Sequence, residues 1–396
     1  MAKVTAPLLS LDAKGTLAKK MTFQNRKGTN TVYWNKGHSD NPSEASEIQR
    51  TWFREATQAW NELTDEQKQT YKDRAKAIKN ENLTGYNLYI REYPTTTPEP
   101  TYEWQLQDIP GTGSIWRSGL SINSDASKGI IASYGGRIYM LNNGVWTETQ
   151  PAGDINTTSY GCAISEDGNK AIMGIDESAV YTYNNGVWTQ HNIGEQYRKD
   201  WRGTNITSDG KYAIIVSGYG RIYKYDWNSW TELRPIGNVD NTWMTVNISD
   251  DGQKILVKDD NANVYEYDGE NWNMLTVDEG SIDYFSGASM SKNGNNILLM
   301  TWNNYSYIRK SGIWSKIYVA DTEELFNQTT RINNDGDKWI IPYGLENLWW
   351  YHNNAYENIT PIGEIPSEGN LIDMSINGEV MAVETESKKI YIRKQI

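Results

Sequence analysis

Cysteine is almost missing from this chain: Cys162 is the only one in 396 residues. A single thiol excludes an internal disulfide framework. Histidine is nearly as scarce, and His38, His191 and His352 stand far apart with no cysteine partners, so the usual zinc spacings are excluded and no metal or other cofactor is expected. Phenylalanine occurs 4 times against 17 tryptophans and 26 tyrosines, which concentrates the large apolar surface in rings that carry a polar handle. No window of about 18 apolar residues exists, so no membrane span is expected. The opening MAKVTAPLLSLDAKG lacks the apolar stretch of a secretory signal, and Sec export is not expected either. With 38% hydrophobic and 22% charged residues the composition remains that of a globular protein.

Charge is distributed unevenly. Residues 1–100 carry 15 Lys and Arg against 12 Asp and Glu, whereas residues 101–396 carry 23 against 38. The stretch Pro94-Thr-Thr-Thr-Pro-Glu-Pro100 separates the two compositions, and its prolines favour an extended connector. The expected organisation is a module over 1–93, a Pro/Thr linker over 94–101 and a second body over 102–396.

The second body repeats with a step of 42 residues. Trp104, Trp146, Trp188, Trp230, Trp272, Trp314 and Tyr356 follow one another without insertion or deletion. Tyr139, Tyr181, Tyr223, Tyr265, Tyr307, Trp349 and Tyr391 keep the same step, as do Gly168, Gly210, Gly252, Gly294, Gly336 and Gly378, with Ala126 the one exception. A period near 40–45 residues fits four-stranded propeller blades. Each repeat reads as four strands. An inner strand ends at Ile122, Ile164, Ile206, Ile248, Met290, Ile332 or Met374; a strand apolar on both faces follows, as at Ile214-Ile215. Then comes an alternating strand such as Asn263-Val-Tyr-Glu-Tyr267, and an Asn-Gly or Asp-Gly turn leads to the tryptophan strand. The last repeat has no tryptophan strand of its own, and Tyr102–Asp108 supplies one from the other end. The expected fold is mainly β: a seven-bladed β-propeller closed by strand 102–108, with a small α+β module ahead of it. The turn Ser-x-Asp-Gly, as at Ser165–Gly168, resembles the blades of WD-repeat-like and related bacterial propellers. That resemblance implies the fold and its closure and no catalytic residue.

In the first hundred residues, two β-rich runs flank Arg26-Lys-Gly-Thr-Asn30 and predict a hairpin within 15–36. Asn41-Pro42-Ser43-Glu44 starts one helix, with Ile48, Trp52, Ala56, Trp60 and Leu63 on one face; Thr64-Asp-Glu-Gln67 caps a second; residues 83–93 form a third. The order Gly-Thr-Leu, Arg-Lys-Gly, Ala-Trp-x-x-Leu-Thr-Asp-Glu-Gln-Lys and Leu-Thr-Gly-Tyr-Asn-Leu-Tyr-Ile resembles a family of small, uncharacterised virion-associated proteins of tailed phages and prophages, over about residues 10–93. Residues 60–76 also resemble the later helices of an HMG box, although the many carboxylates of residues 41–93 disfavour nucleic acid.

Candidate ligand residues stand where the frame repeats and the residue varies. Trp116, Tyr160, Trp201, Trp243, Tyr284 and Phe326 precede the inner strands, and Tyr134, Tyr219, Trp302 and Tyr343 lie in the loops after the second strands. Both sets fall on one face around the channel mouth, where rings can stack on sugars while Arg117, Arg202, Asp176, Asp259 and Asn303 bond hydroxyls. The competing expectation is that the rings plug the channel. No pair of carboxylates is singled out by spacing, Cys162 aligns with the core positions Leu120, Val246 and Ala288, and no glycine-rich phosphate loop occurs, so no enzyme is expected. The phage resemblance implies a virion structural or decoration protein, assembled in the host cytoplasm, that binds other virion proteins through residues 1–93 and displays the propeller, with host glycans as candidate ligands. A free lectin and a DNA-associated protein are the alternatives.

Overall fold

The computed structural model describes residues 15–17, 21–26, 29–34, 53–54, 56–78, 84–92, 102–110, 117–176, 179–193, 200–277, 285–301, 305–319, 329–343, 347–364 and 371–395. The chain forms two compact units, Met1–Pro100 and Thr101–Ile396.

In the first unit the expected hairpin pairs Met21–Arg26 with Thr29–Trp34, and a further short strand, Gly15–Leu17, adds to its free side. Helical residues 56–62 precede helices Asp65–Ala77 and Gly85–Glu92. The boundary at Thr64 is a reciprocal cap: Gln67 N–H donates to Thr64 Oγ1 at 3.2 Å while Thr64 N–H donates to Gln67 Oε1 at 2.9 Å. Ala56, Ala75 and Leu88 are buried, and the rings of Trp60, Tyr71, Tyr86 and Tyr89 meet edge to face. The expected start of the first helix at Asn41 lies outside the described residues.

The second unit is a seven-bladed propeller of four-stranded antiparallel sheets. The inner strands are Arg117–Ile122, Gly161–Ile164, Trp201–Ile206, Trp243–Ile248, Phe285–Met290, Arg331–Ile332 and Ile372–Met374, in blades 1 to 7. Tyr102–Leu106 pairs with Ile390–Gln395 as the outer strand of blade 7, with Trp104 opposite Arg393, and thereby closes the ring.

Seven apolar clusters hold the ring, one between each pair of neighbouring blades. In blade 1, Ile131 faces blade 7 while its neighbours Ile130 and Ala132 face blade 2, which is why the second strands are apolar on both sides. Each cluster takes one member of the edge tryptophan series and one of the tyrosine series. Trp146 and Tyr139 serve the first, Trp188 and Tyr181 the second, and Trp104 with Tyr391 the seventh. The 42-residue period is therefore the period of the blade interfaces.

Turn chemistry repeats as well. In blade 2, Ser165 Oγ donates to Asp167 Oδ1 at 2.6 Å, and the same carboxylate oxygen receives Asn169 N–H at 2.9 Å. Gly168 sits at φ 71°, the left-handed region open to glycine. Ala126 occupies the equivalent place in blade 1 at φ 54°.

Candidate functional site

Each inner strand runs from the channel mouth towards the Ser-x-Asp-Gly turns, so its first residues and the loops after the second strands share the mouth. The rings expected there fall at three successive positions of the repeat. Trp116, Tyr284 and Phe326 share the first of them with Asp200; Trp201, Trp243 and Phe285 hold the second; Tyr160 holds the third with Arg202. Successive strand residues point to opposite faces, and this separates the three sets.

The second set turns into the blade interfaces. Trp201 is 2% exposed and Trp243 1%, against Tyr223 and Tyr265 respectively. Trp243 Nε1–H donates to the Gly220 carbonyl at 3.2 Å. Neither can meet a ligand, and both are corrected here from candidate ligand residues to core. The register explains the difference: the inner strands of blades 1, 3, 4 and 5 each carry a bulge just after this position, which buries one residue and re-aims the next. Asp259 is likewise structural: buried, it receives Asn263 N–H at 2.8 Å and Asn241 Nδ2 at 3.1 Å. Trp116, Tyr284, Trp302, Phe326 and Asn303 lie outside the described residues, as do the side chains of Arg117 and Tyr343.

Tyr134, Tyr160 and Tyr219 do come together, with Arg202 among them. Tyr134 and Tyr160 have ring centroids 5.8 Å apart, and the Arg202 guanidinium lies 5.1 Å from the Tyr160 centroid. Tyr134 and Tyr219 are about half exposed. Arg202 is fixed by Asp200, to which Nε donates at 2.9 Å and Nη2 at 2.7 Å. The pair lies over Gly218, where a Cβ would come within 2.6 Å of Asp200 Oδ2 and 3.0 Å of Arg202 Nε. Any side chain at 218 would displace the pair.

Burial would lower the Arg202 guanidinium, but the Asp200 carboxylate outweighs it and the net direction is upward. The Tyr160 phenol is pushed up by burial first, then by the carboxylates of Asp176 and Asp200 and by the Tyr134 phenol. Arg202 therefore stays charged and Tyr160 stays a neutral phenol at neutral pH. The loops that present Tyr134 and Tyr219 share one construction two blades apart. Gly136 bridges to Thr157 and Gly220 to Asn241, while Arg137 meets Asp154 and Arg221 meets Asp240, each at 2.8 Å. Two exposed tyrosines on braced loops, with a fixed guanidinium and two carboxylates between them, form an arc over blades 1 to 3. Such an arc can stack on a ring and bond hydroxyls.

Further along the channel the inner strands line it at a 42-residue step that is readable in the sequence yet is obscured there by its changing chemistry: Ser121, Ala163, Asn205, Asn247, Ser289, Arg331 and Asp373. Lys292 reaches across from blade 5 to blade 3, donating to Asn205 Oδ1 at 2.9 Å and to the Ile206 carbonyl. Arg331 Nε donates to Asp373 Oδ1 at 2.8 Å, and Asp373 Oδ2 accepts Ile122 N–H at 2.8 Å. A second unforeseen series, Gly119, Gly161 and Gly203, lets inner strands approach. A Cβ on Gly161 would stand 2.2 Å from the Arg202 carbonyl. Cys162 lies in the buried wall as expected, with burial pushing its thiol up. Among the described residues no cluster of side chains suits a metal ion.

No known protein family and no curated protein matches the chain by sequence. The structure is similar to solved ones. A catalytically inactive variant of virginiamycin B lyase from Staphylococcus aureus, with quinupristin, has a TM-score of 0.59 at 13% identity, over 75% of this chain and 100% of that one. Streptogramin B lyase gives 0.58 at 12%, over 74% and 98%. YCF48 bound to D1 peptide gives 0.57 at 10%, over 74% and 97%. Identities this low show the fold alone. They nevertheless correct the expectation that no enzyme is present, which rested on the lack of a singled-out carboxylate pair, a reactive cysteine and a phosphate loop: proteins of the same fold are lyases.

Proposed function

We propose that the protein is an attachment protein of a phage particle, whose propeller binds a hydroxyl-rich ligand, a glycan of the host surface, at the arc of Tyr134, Tyr160, Arg202 and Tyr219. The observation that carries the ligand site is the pairing of two exposed tyrosines with a guanidinium fixed by Asp200. Fixed polar groups beside open aromatic faces lose little freedom when a sugar docks. The same fold is recorded with quinupristin in virginiamycin B lyase and with a D1 peptide in YCF48, so propellers of this kind take ligands of several classes. Attachment through residues 1–93 rests on their sequence resemblance to virion-associated proteins.

Glycan-array binding by the full chain tests the site. Tyr134→Ala and Tyr219→Ala are each expected to weaken the strongest signals about tenfold, as loss of one stacking ring would, with unchanged melting because both rings are exposed. A flat array, or signals indifferent to both substitutions, overturns the glycan reading. Mass spectrometry of purified particles tests the virion assignment, which falls if the protein is absent from them.

A further inference from the structure

Several edge tryptophans fasten their blade to the one before it through the indole N–H. Trp188 Nε1–H donates to Thr149 Oγ1 at 2.7 Å, Trp104 Nε1–H to the Ile359 carbonyl at 2.6 Å and Trp146 Nε1–H to Gln107 Oε1 at 3.4 Å. Across the seam between blades 2 and 3, Trp230 Nε1–H donates to His191 Nδ1 at 3.3 Å. The acceptor residues Gln107, Thr149, His191 and Ile359 keep the 42-residue step, at the ends of the outer strands. Only the acceptor on His191 can take up a proton near neutral pH.

An indole N–H can only donate, so Nδ1 of His191 is bare and the proton of the neutral ring sits on Nε2. Nε2–H donates to Thr182 Oγ1 at 2.8 Å, and both ring nitrogens are thereby spent. The half-buried ring stands edge-on to Tyr225 and Trp230, with centroids 5.1 and 5.5 Å away, and those two rings stack on each other at 4.4 Å. Thr182 comes from the third strand of blade 2, Val180–Asn184; Tyr225 and Trp230 come from the third and outer strands of blade 3, Ile222–Tyr225 and Trp230–Leu233. The titratable group these strands turn to the imidazole is the Tyr225 phenol, which burial pushes up and Asp226 pushes further. Lys170 lies beyond it, its ammonium 4.6 Å from the Trp227 centroid. No carboxylate among the described residues bonds the imidazole, and burial lowers it from the ordinary histidine value of 6.5. A proton on Nδ1 would meet the indole N–H donor to donor.

We propose that His191 is an acid-released fastener: its protonation breaks the Trp230 bond and loosens the outer part of the seam between blades 2 and 3, while the seams fastened at Gln107, Thr149 and Ile359 keep their bonds. The sign follows from the neutral ring being the form the fold prefers. Its contribution is complete above 6.5, the value in the unfolded chain, and is lost as the pH falls below that. Tyr160 and Arg202 of the arc straddle the same seam, but the fastener does not rest on the glycan reading.

His191→Asn places an amide oxygen near the position of Nδ1 and cannot titrate. Thermal melts of the full chain and of this variant, compared between pH 7.5 and pH 5, test the proposal. His38 and His352 are common to both proteins, so the difference between the two pH responses belongs to position 191. The parent is expected to lose about 2 °C more than the variant over that range. Should the variant fail to fold, magnetic resonance titration of the parent's histidine rings decides. His191 should then titrate below 6.5, and the Trp230 indole N–H resonance, assigned by its absence from Trp230→Phe, should move at the same pH. Parallel melts overturn the proposal, and so does titration of His191 at or above its ordinary value, which would mean that the two rings hold the imidazolium instead of rejecting it.

Discussion

Ala126 does the work of a glycine in the one turn of the series that lacks it. An L-residue in the left-handed region costs roughly 1–2 kcal/mol, against the ~0.5–1 kcal/mol of unfolded-chain freedom that glycine must give up. Ala126→Gly is therefore expected to stabilise the protein by about 0.5–1 kcal/mol, readable as a raised denaturation midpoint at unchanged slope. Trp243 marks the opposite extreme. Its ring fills the interface between blades 3 and 4 at 1% exposure, so Trp243→Ala should cost about 3–5 kcal/mol. A negligible loss of melting temperature would contradict its placement. Glu364 gives the acid limb of stability. Burial works against its charge, but donors from Lys389, Ser387 and Tyr391 prevail and bring it from 4.5 down to about 2. Its contribution is complete above pH 4.5 and fades as the pH falls towards 2. Glu364→Gln should be less stable than the parent at pH 7 and lose less between those two pH values in thermal melts.

At the scale of elements, the closing strand has its own fastening. Arg393 lies between Tyr102 of that strand and Trp350 of blade 6, at 4.3 and 4.5 Å from their ring centroids. Trp104 Nε1–H donates to the Ile359 carbonyl at 2.6 Å. A chain beginning at Thr101 should keep the propeller's melting transition. One beginning at Gln107 should melt lower and self-associate, because Ile390–Gln395 then becomes an unpaired edge; equal melting of the two in scanning calorimetry would refute the closure. The strands were legible in the sequence because each answers to one demand. A second strand buried on both faces must be apolar throughout, and every interface needs one ring from the edge strand and one from the third. The inner strand answers to several demands at once. Its bulge moves Trp201 into the core and Arg202 to the mouth, a change of face that no residue type announces.

For the whole molecule, the period fixed the number of blades before any coordinate did, since an uninterrupted 42-residue step over the rings from Trp104 to Tyr391 leaves no room for another count. The site was less legible because it belongs to no single repeat: Tyr134, Tyr160, Arg202 and Tyr219 come from three blades, and only Tyr160 and Arg202 share a position of the frame. The channel ring from Ser121 to Asp373 keeps the step, yet serine, alanine, asparagine, arginine and aspartate share no one chemistry, so a search for recurring identity passes over it.

The pairing of Tyr102–Leu106 with Ile390–Gln395 also sets a timetable. During synthesis the outermost strand of the seventh blade leaves the ribosome before any other part of the ring, then waits for a partner made nearly three hundred residues later. Loop closure over that span is slow, and until it happens the half-built circle carries two open flanks. Nascent chains are thus at their most adhesive just before Ile390–Gln395 emerges, and a truncation within that strand would be felt by the entire assembly rather than by one blade.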